Sequence, residues 1–209
     1  MKPTILLTSL LSLAGAMTMD CDLSFTPPAL SIELRDDYTA VALPGCVPTW
    51  EVGAPSLPIQ IVQLCIPQGT RIGKVTVVSP VPAETIPVTC EVWPVQEPRQ
   101  ISDDSPHSFT LPDPEYYDAN PYPLEVAVAG KRGSMFGYNI ASIFVAPVQY
   151  TSSQKTLVFH PELRLEIKLV PDDYVQVEVV NRSEKARTRI ESTIRRLVRN
   201  PEDVFRYAP

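Results

Sequence analysis

From Glu162 to Val170 the chain alternates strictly: Leu163, Leu165, Ile167 and Leu169 are apolar, while Arg164, Glu166 and Lys168 between them are charged. A period of two belongs to a strand with one face on a core and the other in water. Shorter runs rich in Val, Ile and Thr, each bounded by Pro, Gly or Asp, predict further strands. These cover Leu30–Leu34, Tyr38–Leu43, Ile59–Ile66, Ile72–Val78, Ile86–Val92, Glu125–Ala129, Tyr138–Val145 and Thr156–His160. Between Glu97 and Asn120 no apolar period is sustained. Asp103-Asp104-Ser105-Pro106 and Pro112-Asp113-Pro114 predict a long surface loop there. With short strands, prolines at turns and no strand–helix–strand pattern, the predicted fold is all-β, an antiparallel β-sandwich.

The C-terminal end follows a different period. Ala186, Ile190, Ile194, Leu197 and Val198 recur at helical spacing, with Ser183 placed to cap the start and Asn200-Pro201 to stop it. The opposite face carries Lys185, Arg187, Arg189, Arg195, Arg196 and Arg199 against Glu184 and Glu191, a net +4 in a chain of formal charge -6. Two readings of this amphipathic helix stand side by side: a solvated helix packed on the sandwich, or a basic arm docking on an acidic partner domain. Either leaves Asn200 to Arg206 as an exposed connector. The expected organisation is residues 1–16 as a signal peptide, 17–172 as the sandwich, and 173–209 as a helical arm and junction.

Composition supports this reading. The chain has 23 prolines against 8 glycines, about twice the usual proline share, and the prolines punctuate apolar runs as they do at rigid turns and guarded sheet edges. An acidic balance argues against a general nucleic-acid or anionic-membrane binder. Lys2, the apolar stretch Ile5–Leu13 and the small residues Ala14-Gly15-Ala16 fit an export signal, so the mature chain is expected to begin at Met17, in the periplasm, at the cell surface or outside the cell. No other stretch approaches the ~20 apolar residues of a membrane span. In an oxidising compartment Cys21, Cys46, Cys65 and Cys90 form an even set, and at least one disulfide is expected, with Cys46–Cys90 or Cys65–Cys90 favoured.

Catalytic signatures are missing from these 209 residues. The sequence holds no G-x-S-x-G, no H-E-x-x-H, no phosphate loop and no dinucleotide fingerprint. The doublets Asp36-Asp37, Asp103-Asp104 and Asp172-Asp173 each abut a turn, and neighbours on a strand point to opposite faces, which makes a poor acid–base pair. His107 and His160 lie far in sequence from every cysteine, so neither a zinc site nor a thiol nucleophile is expected, and no cofactor is implied. Two basic segments remain. Gly130-Lys131-Arg132-Gly133-Ser134 reads as a turn between strands, and Arg206-Tyr207-Ala208-Pro209 as a terminal tail of the kind where proteolysis concentrates.

A set of short words in fixed order carries more information than any of these features. It runs Gly53-Ala54-Pro55-Ser56-Leu57-Pro58, Ile66-Pro67-Gln68-Gly69, Val75-Thr76-Val77-Val78-Ser79, the tyrosines Tyr116 and Tyr117, Tyr122-Pro123, and Gly137-Tyr138. It closes with Pro147-Val148-Gln149-Tyr150 and Thr156-Leu157-Val158-Phe159. In order and spacing, over Trp50 to Val170, this resembles the N-terminal propeptide of gingipain-type cysteine peptidases. The resemblance implies a β-sandwich that assists the folding of a downstream peptidase domain, blocks its cleft, and is released by cleavage near Arg206. It also implies that Lys131 or Arg132 mimics substrate in that cleft, with Arg206-Tyr207 the processing site.

Two departures qualify it. Family members commonly place Arg-Gly immediately before the strand that leads to the P-V-Q-Y word, whereas here that position reads Phe136-Gly137, and the nearby Arg-Gly is Arg132-Gly133. Either the inhibitory side chain has shifted to Arg132, or the peptidase is restrained without a basic plug. The family's catalytic cysteine–histidine pair is also not found here, so the chain reads as the propeptide part of a precursor or as a stand-alone relative of it. The rival expectation is a secreted sandwich used for adhesion or surface assembly.

Overall fold

A computed structural model describes residues 17–25, 30–99, 108–172 and 183–209 of the chain. The expected signal peptide, the Asp103–Pro106 part of the long loop, His107 and residues 173–182 lie outside the described residues. The described residues form twelve strands: β1 (Met17–Ser24), β2 (Ser31–Arg35), β3 (Tyr38–Ala42), β4 (Val47–Pro48), β5 (Pro58–Ile66), β6 (Thr70–Val78), β7 (Glu84–Pro87), β8 (Ala127–Met135), β9 (Tyr138–Val145), β10 (Val148–Thr151), β11 (Thr156–Phe159) and β12 (Glu162–Pro171). Two helices, α1 (Pro114–Tyr117) and α2 (Glu184–Leu197), join them. The sheets are ordered β1-β12-β6, β10-β11-β7, β2-β3 and β4-β5-β9-β8, and every paired strand is antiparallel.

One core lies between the layers. β12 contributes Leu163, Leu165, Ile167 and Leu169, β5 contributes Val62, Leu64 and Ile66, and β9 contributes Ala141, Ile143 and Val145. Each set is one parity of its strand, as the period of two requires, and β10 and β11 close the core with Val148, Tyr150, Leu157 and Phe159. The β12 alternation is realised residue by residue: Arg164, Glu166 and Lys168 face water, and Arg164 meets its cross-strand partner Asp22 at 2.7 Å. The antiparallel sandwich with a C-terminal helix expected from the sequence is therefore the fold observed.

Several elements differ from expectation, among them the short strands β4 and β10, which were not anticipated. β1 was not anticipated, although Met17, Met19, Cys21 and Leu23 alternate with Thr18, Asp20, Asp22 and Ser24; it pairs along its whole length with β12. The run Ile86–Val92 is a strand only to Pro87, beyond which Val92 makes a single parallel bridge to Thr39 and is fully buried. Pro87 supplies no N–H to carry a ladder onward. Part of the surface loop is also anchored. Asp113 caps α1 by accepting from the Glu115 N–H at 2.9 Å, and the Tyr117 hydroxyl donates to the Val92 carbonyl inside the core. The Gln96 amide binds the Thr110 backbone in both directions, at 2.9 and 3.2 Å.

The words that marked the resemblance turn out to be stitched to one another. Gly53, at φ +83°, passes so close to Asp113 that an added Cβ would lie 2.9 Å from the Asp113 Cβ, which only glycine avoids. Thr49 and the Pro55 carbonyl hold the turn that buries Ala54 and Leu57. Tyr122 and Tyr150 exchange backbone hydrogen bonds at 2.8 and 2.7 Å, and the Gln149 amide donates to the Pro123 carbonyl at 2.8 Å. These residues build the scaffold.

Candidate functional site

The β8–β9 hairpin buries most of β9 and ends in an exposed tip. Its turn is Phe136-Gly137, with φ of +53° and +84°, the pair of positive values that a two-residue type I′ hairpin demands. Asn or Gly normally leads such a turn, because a bulky side chain is strained there. Phe136 nonetheless occupies it, 47% exposed, beside Met135 at 40%. The tip is braced from the neighbouring β5–β6 turn: the Gln68 side-chain amide donates to the Gly137 carbonyl at 2.6 Å. Just behind it, the buried Asn139 amide donates to the Pro67 and Thr70 carbonyls at 2.9 and 3.0 Å. An aromatic ring is thus presented on a rigid support.

The expectation of a turn at Gly130–Ser134 is corrected by this geometry. These residues lie inside β8, where Gly130 and Lys131 together oppose Ser142 and form a β-bulge. Gly130 permits the bulge because a Cβ there would meet the Phe144 ring at 2.7 Å. Lys131 is exposed on the bulge, well behind the tip. Arg132 turns to the other face and pairs with Asp172 at 2.8 Å, both side chains largely covered.

The connector from Asn200 to Arg206 is corrected as well. Ser183 caps α2, accepting from the Ala186 N–H at 3.4 Å, and the helix buries Ile194. The chain then runs along the open edge of β5. The Arg199 N–H donates to the Gln63 carbonyl at 2.8 Å, and the Asn200 amide pairs with both backbone groups of Cys65, at 2.9 and 2.8 Å. β4 is only two residues long and leaves that edge without a strand, so a side-chain amide with one donor and one acceptor takes its place. Ile194, Val198, Val204 and Tyr207 cover Cys65, Tyr138 and Ile140 on the outer face of the sheet. Arg206 itself is exposed, yet the residue after it, Tyr207, is buried.

All four cysteines are free thiols in this structure. Neither Cys46–Cys90 nor Cys65–Cys90 is bridged here; Cys65 faces α2 while Val62, Leu64 and Ile66 face the core, against which Cys46 packs. Burial pushes the Cys46 and Cys65 thiols up to about 11, with Asp203 adding to the effect at Cys65, and burial also raises Cys21. None of these three offers a thiolate at neutral pH. Among the described residues, no three His, Cys, Asp or Glu side chains gather as a metal site would need.

The family model for the propeptide of C25 peptidases (Propeptide_C25) matches residues 29–192. The chain belongs to this family. Among curated proteins, none matches the sequence. The fold is shared with solved structures of Porphyromonas gingivalis. One is a complex of RgpB pro- and mature domains, with TM-score 0.63 and 16% identity, covering 88% of this chain and 92% of that one. Another is a structure on the zymogenic latency of gingipain K, with TM-score 0.53 and 22% identity, covering 72% and 86%. Within the C25 propeptide family, the features that sequence reasoning missed here are Asn200, the Gln68–Asn139 brace and the surface around Trp50. Asn200-Pro201 was legible as a helix stop, but nothing local announces an amide that replaces a strand.

Proposed function

We propose that this propeptide holds a downstream cysteine peptidase domain latent and assists its folding after export, until cleavage near Arg206 releases it. The element entering the peptidase cleft is the β8–β9 hairpin, led by Phe136. The supporting observation is the braced type I′ tip, which keeps an exposed aromatic in a backbone conformation that turn geometry alone would give to Asn or Gly. Phe136-Gly137 also sits where the family resemblance places Arg-Gly, and Arg132 is engaged by Asp172. A peptidase matched to this tip has an apolar specificity pocket rather than an acidic one.

Covalent attachment makes the docking intramolecular, at an effective concentration in the ~millimolar range, so a modest intrinsic affinity suffices for latency. The test is inhibition of the cognate peptidase domain by residues 17–209, unchanged and with Phe136→Ala, Lys131→Ala or Arg132→Ala. Inhibition lost with Phe136→Ala alone supports the aromatic tip. Loss with Lys131→Ala or Arg132→Ala instead restores a basic plug, and no inhibition by the unchanged chain removes the latency reading.

A further inference from the structure

On the outer face of the β4-β5-β9-β8 sheet, Ile61, Phe144 and Val128 stand side by side in one cross-strand row. Trp50 leans edge-on against Phe144, ring centroids 5.1 Å apart, and is 53% exposed. Beyond this row lies a cavity of about 230 Å³, walled by Trp50, Phe144, Tyr122, Val128 and Ile59. Its only charged lining residues are Glu51 and Glu125. The Tyr122 hydroxyl donates to Glu51 at 3.2 Å and so orients one carboxylate. Among the described residues neither glutamate forms an ion pair.

We propose that this cavity receives a basic side chain, arginine foremost, projecting from the surface of the peptidase domain. The proposal rests on the latency reading above. A lining of aromatic and aliphatic side chains that also holds two carboxylates matches the build of arginine: a hydrocarbon stem, a weakly hydrated planar cation that stacks on indole and phenol rings, and a fork of donors for a carboxylate. A free small cation would leave the aromatic walls unused. The exposed apolar neighbours, Ile61 at 45%, Val128 at 44% and Leu124 at 77%, extend the contact beyond the cavity and call for a macromolecule.

Position assigns that macromolecule. The terminal segment leading to Arg206 covers Cys65 and Ile140 on this same face, four residues along β5 and β9 from Ile61 and Phe144, about 13 Å at strand rise. A peptidase domain attached behind that segment, with the β8–β9 tip in its cleft, meets the face on which Trp50 and its cavity lie.

The experiment measures Ki against the cognate peptidase domain for residues 17–209 and for the variants Glu51→Gln/Glu125→Gln and Trp50→Ala, each checked for an unchanged melting temperature. The double variant keeps shape and hydrogen bonding, so it remains informative if Trp50→Ala disturbs packing. The expected result is a Ki raised about tenfold in the double variant, with a shallower dependence on salt than the unchanged chain shows. A Ki within twofold of the unchanged chain overturns the inference while leaving latency intact. A concentration-dependent dimer that Trp50→Ala abolishes also overturns it, assigning the face to a second copy. Failure of the unchanged chain to inhibit overturns both readings.

Discussion

The two halves of one sheet face have different fates. Around Cys65, Tyr138 and Ile140, the chain covers its own apolar surface with Ile194, Val198, Val204 and Tyr207. One register step beyond Gln63 and Ser142, on the same strands, Ile61, Phe144 and Val128 remain at the surface with Trp50. Both halves are built from similar residues, so hydrophobicity does not separate them. The covered half lies along the bare edge of β5, where Asn200 and the Arg199 N–H satisfy backbone groups that water would otherwise reach. The open half has β4 on that edge, paired only at Val47 with Ile59 and at Pro48 with Pro58. What distinguishes the covered half is this set of hydrogen bonds to the β5 edge, not a larger apolar area.

Breaking the covered half carries the largest expected cost. Ile194 is fully buried, and Ile194→Ala should lower unfolding free energy by about 2–5 kcal/mol in urea titration. A loss under about 0.5 kcal/mol would mean that the helix is not anchored there. Asn200→Ala should follow at about 1–3 kcal/mol, because it strands a buried N–H and carbonyl of Cys65. The same variant should expose Cys65 to thiol reagents that the unchanged protein resists; equal labelling rates would disprove the clasp.

Tyr207→Ala should act mainly on kinetics. The Arg206–Tyr207 bond cannot enter an active site in extended form while Tyr207 is buried against the sheet, so freeing it should speed cleavage after Arg206 several-fold in a trypsin time course. Alkaline pH acts on the same half. The Cys65 thiol is raised from 9.0 to about 11 in the folded protein, so the folded state holds its proton where the unfolded chain has lost it. That contribution is whole below about pH 9 and is lost as pH rises towards 11. Cys65→Ala should flatten this fall in a melting-temperature series. Smallest of all, Trp50→Ala in the open half should change stability by no more than about 0.5 kcal/mol. A larger loss would make Trp50 a structural residue and weaken its role in docking.

Much of this was legible in the chain itself. The alternation of Leu163 to Leu169 needs no partner to be recognised, and helical spacing with a Ser183 cap and an Asn200-Pro201 stop is equally local. The ordered words were readable as a family signature because each is a turn or contact whose chemistry is confined to a few residues, such as Gly53 at its positive φ. The basic segment at Lys131 and Arg132 misled because composition cannot distinguish a turn from a bulge. The difference lies in Ser142 opposite, eleven residues on from Lys131.

The amino-acid sequence by itself determined the β architecture, the helical end and the lack of a recognisable catalytic signature, since periodicity and residue chemistry act over short stretches. Only the tertiary structure decided which residue leads the hairpin, that Arg132 is tied to Asp172, and that the terminal segment is a clasp rather than a connector. Those outcomes depend on groups far apart in the chain, Cys65 and Asn200 above all, whose hydrogen bonds exist only once the sheet has left an edge to fill.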